Sequence, residues 1–231
     1  MIRVLLVGAL ALSGCSAQVS QGPAFQLGAA GLGDVSPPIK SFEERRFLTV
    51  VRQQYDFSCG SAALATLLTY HYRRPQSEAA VFNGMWRAGD RAQITRLGFS
   101  LLDMKRFLAS AGLTADGYKV SLDQIEKAGV PGIALIEASG YRHFVVVKGI
   151  DADELLVGDP ALGLRTMSRA SFQKAWNGVY FVIGQESQIG RQAFNKDVQW
   201  SAFSRAPVGA TFVQPLSQQA LALTAPSLRD F

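Results

Sequence analysis

Cys59 stands where a polar loop gives way to an apolar run, in Gln53-Gln54-Tyr55-Asp56-Phe57-Ser58-Cys59-Gly60-Ser61-Ala62. The run reaches Tyr72 without a proline and is apolar on nearly every side, which predicts a buried helix. Ser58 is the expected N-cap. Cys59 then lies in the first turn, at the positive end of the macrodipole, a setting that favours a nucleophilic thiolate. Gly60 leaves room for a substrate or another backbone. The plainer reading is an inert core cysteine, the usual state of an isolated free thiol.

A thiolate nucleophile needs a base, and the base needs an orienting group. The chain has two histidines, His71 and His143. His71 follows Cys59 on the same predicted helix, roughly 18 Å along at 1.5 Å per residue, and reads as a surface or helix-end residue. His143 opens the apolar run His143-Phe144-Val145-Val146-Val147. Alone it would read as a satisfied edge-strand histidine, but it is the base left to Cys59. Asp159, at the end of Leu155-Leu156-Val157-Gly158, would lie on the hairpin partner of that strand and could orient the ring. Pro160 fixes the chain direction after it. Asp151, Asp153 and Glu154 read as solvated turn charges. An acyl-transfer site also needs oxyanion donors. The Cys59 N–H and the side chain of Gln53 are candidates, with Gln54 the alternative to Gln53.

Composition bounds the rest. The chain has 231 residues, 48% apolar and 18% charged, which suits one sizeable globular domain with extensions. The net charge of +5 comes without a dense Lys/Arg run, so it makes no case for nucleic acid. Two cysteines and two histidines, scattered, give no zinc spacing. There is no Gly-rich phosphate loop and no Gly-x-Ser-x-Gly elbow. No metal or organic cofactor is implied.

The N-terminus has the layout of an export signal: Arg3, an apolar stretch from Val4 to Leu12, then small residues. Leu12-Ser13-Gly14-Cys15 resembles a bacterial lipobox, which would make Cys15 a lipidation site and the mature N-terminus. The rival is ordinary cleavage after Ala17. Either route exports the protein, and Ser16 after the cysteine resembles outer-membrane sorting. With Cys15 in the signal, Cys59 has no disulfide partner, and an unpaired thiol in an exported protein is a reactive-site flag.

Four segments are expected: a signal at 1–15, a Gly/Pro-broken tether at 16–46, a domain at 47–184 and a peripheral tail at 185–231. Within the domain, 47–51 reads as a strand, Ser77 begins a second helix, and 84–98 reads as loop. Ser100 to Asp103 fits a capping box for a helix closed by Gly112. The second half reads as strands at 118–120, 133–137, 143–150, 155–158 and 179–183, with short helices after Ser121 and Ser168. Helices first and a mostly antiparallel sheet second predict a two-layer α+β domain.

Gln53-x5-Cys59-Gly60-x-Ala62, His143-Phe144-Val145-Val146 and Asp159-Pro160-x-x-Gly163 together resemble the C39 family of papain-like cysteine peptidases. The match spans about 47–184, with the three blocks in order. The resemblance implies Cys59 as nucleophile, His143 as base, Asp159 as orienter and Gln53 as oxyanion donor. The residue before the cysteine is often acidic in that family and is Ser58 here. Many members are fused to an ABC exporter. This chain, without a transmembrane bundle or nucleotide motif, resembles instead the stand-alone exported members encoded with functional amyloids of biofilm-forming bacteria. The implied partners are peptide or protein substrates, among them leader peptides and co-exported amyloid or secretion components, with membrane contact through a lipid anchor only. The rival functions are a papain-like amidase or acyl transferase, and a peptide-binding module that does not cut.

Overall fold

The computed structural model describes residues 40–203 apart from Ser139. The signal, Cys15, most of the expected tether and the end of the expected tail lie outside the described residues. The compact unit begins at Ser41, inside the stretch read as tether. There α1 (Phe42–Arg46) starts with a capping box between Ser41 and Glu44. Residues 47–51 are turn and bend rather than strand. The segment is tied down by the Val51 N–H, which donates to the Thr66 hydroxyl at 2.8 Å.

The helical layer follows: α2 (Cys59–His71), α3 (Glu78–Ala88), α4 (Arg91–Leu97) and α5 (Leu101–Ser110). α2 is buried on nearly all sides, with Ala62, Ala63, Leu64, Ala65 and Leu67 fully enclosed. Its small residues let α3, α5 and the sheet close around it. Gly60 serves the same end. A Cβ there would lie 3.0 Å from Phe99 Cβ and 3.1 Å from Met104 Cε, so the close approach is to the protein's own core. The expected cap does not form. Ser58 makes no side-chain bond to the helix; its hydroxyl donates to the Tyr55 carbonyl at 2.9 Å and accepts from the Tyr55 N–H. The stretch read as loop, 84–98, holds the end of α3 and all of α4. Asp90 caps α4, its carboxylate accepting from the Ala92 and Gln93 N–H groups.

The chain then runs β1 (Ala115–Lys119), α6 (Leu122–Ala128), β2 (Gly132–Ala138), β3 (Tyr141–Ile150), β4 (Glu154–Asp159), β5 (Gly163–Ser168), α7 (Arg169–Ala175) and β6 (Trp176–Ile183). These strands form one sheet in the order β1-β6-β2-β3-β4-β5, each neighbouring pair antiparallel. The fold is α+β, with N-terminal helices on an antiparallel sheet. A third layer joins the two that were expected. Phe144 and Val146 pack with α2, while Val145 and Val147 pack with Leu122 and Ile125 of α6 and Phe172 of α7. β3 is thus central and buried on both faces, which explains its unbroken apolar run.

His71 and Lys148 are among the buried ionisable side chains on the helical side. His71 ends α2 and is 1% exposed, so it is a helix-end residue but not a surface one. Burial first, then the nearby Lys148, pushes its pKa well down, leaving a neutral ring. Lys148 of β3 is fully buried. Its Nζ donates to the Thr49 carbonyl at 2.6 Å and lies over the Tyr70 ring. Burial lowers its pKa to about 7. After β6 the chain does not leave the domain. α8 (Ser187–Gln192) and α9 (Asp197–Trp200) follow, Phe194 joins the α6/α7 core, and the Asn195 amide bonds both the N–H and the carbonyl of Ile150.

Candidate active site

β3 and β4 bring His143 and Asp159 together. Val146 pairs with Gly158 and Val147 with Val157. Continued one step, that register sets Asp159 opposite Val145, on the same face as His143 and within side-chain reach of it. His143 Nε2 bonds Asp159 Oδ1 at 2.7 Å, and both groups are buried. The same oxygen accepts from the Ala161 and Leu162 N–H groups at 2.9 and 3.2 Å, inside the turn after β4. That turn needs glycine at its end. Gly163 has φ +79°, and a Cβ there would lie 2.6 Å from Arg46 Cβ. The motif Asp159-Pro160-x-x-Gly163 is therefore a device for wrapping backbone donors around the carboxylate beneath the end of α1.

With Nε2 committed to Asp159, Nδ1 is the ring atom left for the thiol. Nδ1 makes no hydrogen bond in the structure, and Cys59 is near enough to act on the charge of the ring. Burial opposes the charge on His143, but the bonds to Asp159 and Cys59 and their negative charges outweigh it, raising the pKa to about 9. Asp159 answers in the opposite sense. Burial works against its charge, but His143 and the turn's N–H donors hold the carboxyl below its usual range. A histidine between a carboxylate and a cysteine, with its proton-bearing form favoured, is the arrangement that can take up the proton of a sulfur nucleophile.

Cys59 is a free thiol, 8% exposed. As the first residue of α2 its N–H has no intrahelical acceptor and can donate to an incoming oxyanion. Of the two glutamines, Gln53 is the one turned inward: it is half-buried with its Oε1 enclosed, while Gln54 is exposed. The Gln53 N–H donates to the Pro160 carbonyl at 3.0 Å, so the loop that carries Gln53 is fastened to the turn that carries Asp159. The thiol opens onto a cleft of about 750 Å³ lined by Phe57, Leu97, Phe99, Leu102, Tyr141 and Phe144, with Arg96 and Arg142 among its polar groups. A peptide of largely apolar character fits such walls.

Two residues near the site were not foreseen. Tyr141 donates to the Asp56 carbonyl at 2.6 Å, and its ring lies 6.0 Å from that of His143. Arg165 bonds the second oxygen of Asp159, through Nε and Nη2, each at 3.1 Å. Reading β5 as a strand would have found Arg165. It pairs with Val157, two residues before Asp159 and hence on the same face.

The sequence pattern of the peptidase C39 family matches residues 48–188. The chain belongs to that family. It is a cysteine peptidase. A protein of Pseudomonas aeruginosa described as a probable functional amyloid protease, FapD, is 46% identical over 156 residues, which cover 67% of this chain and 69% of that protein. The protein of the same description from Pseudomonas fluorescens is 43% identical over 145 residues, covering 63% of this chain and 64% of that one. Among solved structures, the peptidase domain of Streptococcus ComA, a bifunctional ABC transporter, superposes with a TM-score of 0.50 at 22% identity, over 59% of this chain and 97% of that domain. That likeness is one of fold. The matched region holds Gln53, Cys59, His143, Asp159 and Arg165. Among the described residues of this C39 peptidase, no helix is long and apolar enough to cross a membrane.

Proposed function

We propose that this C39 peptidase is an exported thiol endopeptidase that cuts a peptide bond in secreted proteins or their leader peptides by a Cys-His-Asp mechanism. His143 Nδ1 takes the proton of Cys59, and the thiolate attacks the peptide carbonyl. The oxyanion rests between the Cys59 N–H and the Gln53 amide. The imidazolium, held by Asp159, returns its proton to the leaving amine. Water then releases the acyl-enzyme with His143 again as base. The observation that carries this reading is the buried pair of His143 and Asp159, with Nε2 bonded at 2.7 Å and Nδ1 left without a partner, beside Cys59. The description of its Pseudomonas relatives as probable functional amyloid proteases supports an amyloid subunit, or a component of its secretion, as substrate. The test compares the termini of co-exported proteins from cells with the wild type and with Cys59→Ala. A new N-terminus that appears with the wild type alone supports the reading. Identical termini in both strains overturn it.

The proposed setting is the periplasm, with the enzyme anchored to the outer membrane through Cys15. Support comes from Arg3, the Val4–Leu12 stretch and Leu12-Ser13-Gly14-Cys15. One acyl chain binds membranes weakly and reversibly, whereas several give a stable anchor. The wild type is expected in the membrane fraction with a lipid mass on Cys15, and Cys15→Ala in the soluble periplasm or unprocessed. An unmodified mature chain starting at Gln18 would remove the anchor and leave the export.

A further inference from the structure

We propose that Arg165 is a positioning residue of this site: its guanidinium holds Oδ2 of Asp159 and thereby fixes the orientation and charge of the carboxylate that steers His143. The inference rests on the Cys-His-Asp reading above and extends it by a fourth side chain. Asp159 is nearly fully buried, so each oxygen needs donors. Oδ1 has His143 Nε2 and two turn N–H groups, and Oδ2 has Arg165 Nε and Nη2. With Oδ2 taken, the carboxylate cannot rotate about its own axis, and the oxygen offered to the imidazole is always the same one. Arg165 arrives from β5 across the hairpin, opposite Val157. It is therefore braced by the sheet and independent of α2, which carries the thiol.

The second consequence is electrostatic. Asp159 lies between two cations, Arg165 and the His143 imidazolium. The charged and titratable groups around His143 are Asp159 from β4, Cys59 from α2 and, from its own strand, Tyr141, whose ring lies beside that of His143 while its hydroxyl bonds the Asp56 carbonyl, with Arg165 behind Asp159. Arg165 offsets part of the carboxylate's pull on the ring proton. A ring held too tightly would be slow to hand that proton to the leaving amine. Arg165 is itself about one-third exposed, so it can be replaced without opening a hole in the core.

The experiment follows the ring signals of His143 by NMR against pH in the full chain, for the wild type, Arg165→Gln and Arg165→Lys, with kcat and KM measured in parallel. His143→Gln assigns the signals against those of His71. Losing the cation favours the protonated ring, so Arg165→Gln is expected to move the His143 midpoint upward. It should also lower kcat about ten- to a hundredfold through misplacement, with KM little changed. Arg165→Lys should restore the midpoint, since a charge returns. It should recover only part of kcat, since a point charge lacks the fork. If Arg165→Gln lowers only the melting temperature, with midpoint and kcat as in the wild type, Arg165 is a hairpin brace and the proposal falls. Were the wild type to cleave no peptide, the peptidase mechanism would fail, and the His143 titration would still decide the role of Arg165.

Discussion

Cys59→Ala is expected to abolish peptide-bond cleavage, with a loss on the order of 10⁶ in kcat, as when a nucleophile is removed from a hydrolase triad. The fold should survive. The change deletes one sulfur atom at a site 8% exposed, and the alanine continues the small-residue surface that α2 already presents through Ala62, Ala63 and Ala65. The stability cost should be about 1 kcal/mol. The wild-type thiol should react rapidly with iodoacetamide near neutral pH, because it sits at a helix start beside an imidazolium. Mass spectrometry should locate the adduct on Cys59, and alkylation should remove activity in proportion. Full turnover by Cys59→Ala would end the thiol mechanism.

The grouping of Cys59, His143 and Asp159 was readable because these residues sit where local rules place them. A cysteine at the start of a buried run and an aspartate closing the strand next to His143 are visible without a fold. Asp159-Pro160-x-x-Gly163 is visible too, although its reason is tertiary: Gly163 yields to Arg46 of α1. Helix starts were equally legible. Ser77, Ser100, Ser121 and Ser168 each accept from the backbone N–H three residues on. Ser58 occupies the same kind of position and fails, because its hydroxyl curls back to Tyr55. Nothing local separates the two outcomes.

What stayed hidden lacks a periodic apolar face. α4 buries one residue, Ile94, and is held by its Asp90 cap. β5 is half-buried beyond Gly163 and Leu164, so its alternation is faint, and with it went Arg165. The segment 185–203 reads as part of a peripheral tail because it attaches by scattered residues, among them Phe194, Asn195 and Trp200, rather than by a stripe. The third layer was missed because an all-apolar strand gives no sign of which neighbours cover which face. The two glutamines could not be ranked from sequence, since inward and outward residues of a loop follow no period.

His143→Ala is expected to cost on the order of 10⁴ to 10⁶ in kcat, the range for losing a triad's base, while His71→Ala should leave kcat nearly unchanged. The two replacements should differ in the opposite sense in stability. His71 is fully enclosed, so its truncation opens a cavity worth about 2 to 4 kcal/mol, read as a fall in melting temperature. Their pH signatures are also opposite. The His143 pKa is raised to about 9, so its ion pair with Asp159 contributes stability that is fully present below the unfolded value near 6.5. That contribution is lost as pH rises through about 9. The kcat/KM profile should carry an alkaline limb at the same place, where the ring no longer has a proton for the leaving amine. Asp159→Asn removes the largest cause of the raised value and should draw that limb downward. His71 has its pKa lowered, so below about 6.5 the unfolded chain binds a proton that the folded chain refuses. Stability should fall there as the solution is acidified, and His71→Ala should flatten that dependence. Greater loss of turnover in His71→Ala than in His143→Ala would reverse the assignment of the base. An alkaline limb unmoved by Asp159→Asn would detach Asp159 from the ring it is bonded to.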